Sequence, residues 1–131
     1  MRYTVERLSN EPIIVVVIGT DYAVGKHFLE LAQLVDSKVG KDETGVYAIF
    51  DITEMKMSFG DLVIAMSNQS QKAPGALADP RLNTLIVGSG DLVKLGIQAF
   101  QQEQYGNLNF RLFTSVDEAL KYAREELKKR G

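Results

Sequence analysis

Apolar and polar residues alternate with period two at Tyr3, Thr4, Val5 and Glu6, which predicts a first strand with one wet face. The cluster Ser9-Asn10-Glu11-Pro12 then reads as a turn, and Pro12 opens the run "IIVVVIG" (13–19), a second strand. So short a connector favours an antiparallel pair. After Asp21 the spacing becomes helical, with Phe28, Leu31, Leu34 and Val35 on one stripe and Gly40 at the position after the helix end. "GVYAIFDIT" (45–53) is apolar enough for a strand covered on both faces. Ser58 stands three residues before Asp61, the spacing of a capping box, and Leu62, Val63, Ala65 and Met66 continue into a second helix.

Pro74, Gly75 and Pro80 break that helix within "QKAPGALADPR" (71–81), read as the longest loop. "LNTLIVGSG" (82–90) predicts a fourth strand. A third helix follows, with Leu92, Leu95 and Ala99 beside Val93, Ile97 and Phe100, ending near Gly106. "NFRLFTS" (109–115) is a fifth strand. Ser115 and Glu118 then form a capping box for a last helix that buries Val116, Leu120, Ala123 and Leu127. The order ββαβαβαβα predicts an α/β fold in one domain spanning 1–131: a mainly parallel five-stranded sheet with an antiparallel first strand.

Composition narrows the function. The chain has 131 residues, a formal charge of −2, and basic residues mixed among acidic ones, which lacks the basic stripe of a nucleic-acid surface. No cysteine is present, so thiolate metal sites are impossible, and a reducing cytoplasm fits. The first residues carry no apolar leader core, and the longest apolar run, Ile13 to Ile18, is too short for a bilayer. A cytoplasmic domain with no membrane partner is expected.

"IIVVVIGTDYAVGKHF" (13–28) imitates a phosphate loop but fails it on three counts. Five residues separate Gly19 from Gly25 where four are needed, His27 stands where magnesium needs a hydroxyl, and Asp21 adds negative charge. The segment is a strand–turn–helix junction. "GSGDLV" (88–93) lacks the small residue of a dinucleotide fingerprint at Val93; its glycines suit a tight turn, with Ser89 or Asp91 capping the next helix. His27 is the only histidine, which excludes a multi-histidine metal site and suggests a surface or cap residue. No catalytic constellation is complete, so no catalytic residue, metal or cofactor is assigned. Thr20, Asp21, Asp51, Thr53, Ser58, Gly88, Ser89, Asp91, Thr114 and Ser115 do fall at or after the carboxyl ends of strands. In open α/β sheets that rim receives ligands, and it is equally where helices need caps.

The segments "YAIFDITEMKMSFGDL" (47–62), "LNTLIVGSGDLVKL" (82–95) and "RLFTSVDEALKYA" (111–123), with the element order, resemble the STAS domain of anti-sigma-factor antagonists. The likeness covers nearly the whole chain and is nearest the divergent SpoIIAA-like branch. In regulatory members a serine or threonine opening the second helix is phosphorylated, which controls binding to a partner kinase. The family pattern there is Asp-Ser-Ser/Thr-Gly; this chain has Met57-Ser58-Phe59-Gly60-Asp61, so Ser58 matches by role and the preceding aspartate is missing. A phosphate on Ser58 gains from the helix N-terminus, while Asp61 repels it. Ser58 thus reads either as a switch, with Asp51, Thr53 and Asp61 around it, or as a plain cap.

Two functions follow. One is a non-enzymatic regulatory domain that binds a protein through Ser58, the second helix and a mobile 71–81 loop with Ala73, Ala76, Leu77 and Ala78. The other is an anionic or nucleotide ligand site on the rim, at Thr20, Asp21, Gly88, Ser89 and Asp91, with weak phosphohydrolase chemistry by Asp51 and Asp21. Tyr3, Val5 and Leu8 on an edge strand make a homodimer a further expectation.

Overall fold

The computed structural model describes residues 2–56, 58–69, 74–102 and 110–130. The chain runs β1 (Tyr3–Arg7), β2 (Ile13–Ile18), α1 (Val24–Ser37), β3 (Val46–Asp51), α2 (Phe59–Gln69), β4 (Leu82–Val87), α3 (Asp91–Phe100), β5 (Arg111–Phe113) and α4 (Val116–Lys129). All five strands form one sheet in the order β1-β2-β3-β4-β5. β1 pairs antiparallel with β2, Val5 opposite Val16, and every later pairing is parallel.

The helices divide between the two faces. Ile14, Val16 and Ile18 of β2, Val46, Ala48 and Phe50 of β3, and Ile86 of β4 meet Leu31 and Val35 of α1 and Val93 and Ile97 of α3. α2 packs between α1 and α3 in that same layer. Ile13, Tyr47, Ile49, Leu85 and Val87 meet Ala119 and Ala123 of α4 on the other face. Crossovers of one hand that advance in one direction keep their helices on one face. α4 has no further strand to reach and folds back over the opposite side. The period of two thus feeds two cores at once, and β3 is buried along Val46 to Phe50. Burial of each fully covered Ile or Val contributes roughly 1.5–3 kcal/mol.

Several boundaries differ from the sequence reading. Leu34 is exposed; the buried stripe of α1 runs through Val24, His27, Phe28, Leu31, Ala32 and Val35. Gly40 is not the residue that ends α1, because Lys38 caps it in an ordinary right-handed conformation. The Gly40 N–H instead donates to Glu43 Oε1 at 2.8 Å, and the left-handed position is Asp42, φ 62°. α3 ends at Phe100 with Gln101 as its cap, and Gly106 lies outside the described residues. β5 is only three residues long.

Within the 74–81 part of the long loop Gly75, Ala76, Ala78 and Asp79 are buried, and Ala73 lies outside the described residues. Gly75 takes φ +82° and lies so close to α1 that a Cβ would stand 1.9 Å from the Ala32 carbonyl oxygen. Asp79 accepts from the N–H groups of Gly75 and Arg81 at 2.8 and 2.9 Å. The Arg81 guanidinium reaches both Asp79 and Asp36 of α1 at 2.6 Å. Ala76 and Ala78 are buried, so they add nothing to a docking surface.

Candidate functional site

The polar residues at the carboxyl ends of the strands are engaged mostly in short-range hydrogen bonds. Asp51 ends β3, and its Oδ1 accepts from the Thr53 N–H at 3.0 Å and the Thr53 hydroxyl at 2.7 Å, closing a local turn. Ser58 and Asp61 make the expected box in both directions. The Ser58 N–H donates to Asp61 Oδ2 at 3.0 Å, and the Asp61 N–H donates to Ser58 Oγ at 3.1 Å. No hydrogen bond joins the Asp51–Thr53 pair to the Ser58–Asp61 pair among the described residues. The Thr20 hydroxyl donates to Asp21 Oδ1 at 3.4 Å. The Ser115 Oγ accepts from the Glu118 N–H at 3.1 Å, but the Glu118 carboxylate turns to the Thr114 hydroxyl instead of completing its box.

The β4–α3 junction departs from the expected caps. The N-cap is Gly90 itself, φ 100°, and neither Ser89 nor Asp91 supplies a side-chain cap. That φ suits only glycine comfortably. Gly88 is buried, and its N–H donates to the Phe113 carbonyl at 3.0 Å.

The β2–α1 junction is the strand–turn–helix expected, and of the two roles expected for His27 it takes the cap. His27 is buried, not at the surface, and its Nδ1 accepts from the Ala23 N–H at 2.9 Å. Accepting at Nδ1 places the ring proton on Nε2. Tyr22 packs against His27 at 5.8 Å and against Tyr3 at 6.2 Å. Burial, with Tyr3 and Glu30 nearby, pushes the Tyr22 phenol up to about 12. Among the described residues, no cluster of three His, Cys, Asp or Glu side chains is placed to hold a metal ion.

The sequence reading missed an apolar surface. Six large hydrophobic side chains are exposed among the described residues: Leu29 and Leu34 of α1, Phe59, Val63 and Ile64 of α2, and Leu95 of α3. All belong to the three-helix layer and none to α4. Phe59 is 63% and Val63 48% exposed, one helical turn apart and next to Ser58. Ile64 lies against Gly25 of α1, 3.5 Å from where its Cβ would be. Scattered exposed apolar residues are ordinary, and contiguous ones mark interaction surfaces. A signal was present: Leu62 to Met66 are five consecutive apolar residues. At about 100° per residue such a run points in every direction, so part of it must face outward.

No protein-family model matches the chain, and no curated protein sequence does. Among solved structures, an uncharacterised protein of the DUF3478 family with a SpoIIAA-like fold, from Shewanella loihica PV-4, is similar. It superposes with a TM-score of 0.57 at 16% identity, over 92% of this chain and 91% of that one. The fold is SpoIIAA-like. The element order and the mainly parallel sheet are those expected from the sequence, with Ser58 just ahead of the second helix. Among the described residues no helix is long and apolar enough to cross a membrane.

Proposed function

We propose that this SpoIIAA-like domain is a non-enzymatic, cytoplasmic regulatory module that docks a partner protein on the outer face of α2, with Ser58 at the edge of the contact. The observation that carries this reading is the gathering of exposed Phe59, Val63, Ile64, Leu29 and Leu95 on one helical layer, beside an exposed serine at a helix start. Apolar side chains left in water on one face gain free energy when a partner covers them.

Ser58 is placed to modulate such a contact. Its hydroxyl is exposed and holds one N-terminal N–H of α2. A phosphate there would keep that N–H and the favourable helix end, but would stand beside the Asp61 carboxylate and the Phe59 ring. Charge beside an apolar contact opposes desolvation, so modification weakens docking. The rim reading has less support. The strand order never reverses, so no switch-point crevice opens. Asp51 is spent on Thr53, and the Gly88 N–H is spent on the sheet.

The test is a quantitative pull-down from native cytoplasm with wild type, Ser58→Asp and Phe59→Asp/Val63→Asp. A specific partner held by wild type, weakened by Ser58→Asp and lost by the double variant is expected. Equal capture by all three sinks the docking face. Loss in the double variant alone removes the switch and keeps the face.

A further inference from the structure

A partly open apolar pocket lies beneath α2 and α3. It has a volume of about 110 Å³, and the carboxyl halves of the central strands form its floor through Ile18, Phe50 and Ile86. Its roof includes Leu62 and Ala65 of α2 and Gly96 of α3. The sequence explains why it is not filled. Leu62, the buried leucine of α2, lies against Gly96; a Cβ there would stand only 2.8 Å from the Leu62 Cδ1. Ala65, the other α2 residue on the roof, is too short to reach the floor.

The lining has the chemistry of hydrocarbon. Tyr22 is the only lining residue, among those described, whose side chain carries oxygen or nitrogen. None of the rim's carboxylates or hydroxyls borders the space. An ion or strongly polar group would enter without a partner and lose its hydration. An engineered cavity of about 150 Å³ lined by such side chains takes up benzene.

We propose that this cavity is a binding site for a small uncharged hydrocarbon group, of the size of an aromatic ring or a short alkyl chain, held between the sheet and the α2–α3 pair. The site is independent of the docking face. It is tested on the full chain with labelled Ile, Leu and Val methyl groups, using benzene as the probe. Saturable shifts at Ile18, Leu62 and Ile86 are expected, with Ile49 and Leu85 on the α4 face unmoved. Ala65→Leu, which fills the space, abolishes the shifts while the remaining spectrum stays dispersed; if that variant does not fold, Ala65→Val weakens binding in the same assay. No saturable shift up to the solubility limit of benzene overturns the site. So do equal shifts on both faces, or undiminished binding in a folded Ala65 variant.

Discussion

Asp79 carries a charge into the interior, its side chain only 2% exposed, and three donor groups hold it there: two backbone N–H groups and the Arg81 guanidinium. Burial pushes its carboxyl up, but Arg81 and the N–H groups of Gly75 and Arg81 outweigh that and hold it below the usual aspartate value. A depressed folded pKa gives stability that is complete above the unfolded value and is lost as pH falls through the folded one. Asp79→Asn is therefore expected to cost about 3 kcal/mol near neutrality. Urea unfolding should show that difference shrinking at acid pH. Glu43 behaves alike: the Arg7 guanidinium, then the Gly40 N–H, bring it down to about 2. Acid should thus weaken the wild type between about pH 4.5 and 2, and an Arg7→Met variant should lose less over that range. Gly75→Ala combines a left-handed φ with a clash on the Ala32 carbonyl and is expected to cost about 3 kcal/mol or more by the same measurement. Little of this was legible. "PGALADPR" has the composition of a solvated loop, and only the 45-residue reach from Asp36 to Arg81 reveals that it is packed.

At the scale of elements, local chemistry read well where a side chain answers its own helix. The Ser58–Asp61 box was visible from spacing alone and exists in both directions. Ser58→Ala is expected to lower stability by about 1 kcal/mol in thermal unfolding. Phe59→Asp/Val63→Asp should leave stability within about 1 kcal/mol of wild type while losing the partner, which separates surface from scaffold. Helix phase was less legible. Leu34, Val63 and Leu95 fit an apolar stripe yet face out, because the stripe records residue type and not what covers it. The space under α2 has a cost of its own in forgone packing contacts. Ala65→Leu is expected to recover part of it and melt higher than wild type.

For the whole molecule, element order followed from the period of the apolar residues, the antiparallel first pair from the short connector, and the doubly covered β3 from its apolar run. The strand order did not, since alternation marks a strand's faces and not its neighbours. Nor did the division of helices, three on one side and α4 on the other. That division determines where the exposed apolar face lies, so the proposed docking site was only half visible: Ser58 from the capping pattern, its apolar surroundings from the fold alone.

The sequential sheet bears on how the chain assembles as it leaves the ribosome. Each strand finds its partner in the strand made just before it, so none must be inserted later between two others. Contacts stay close in sequence for a parallel sheet, which favours rapid folding. The hazard is the moving edge: until the next strand arrives, the newest one presents unpaired N–H and carbonyl groups to other nascent chains. β5, only three residues long and paired along Leu85 to Val87, is where that growth stops. So short an edge strand makes the sheet a poor template for further addition.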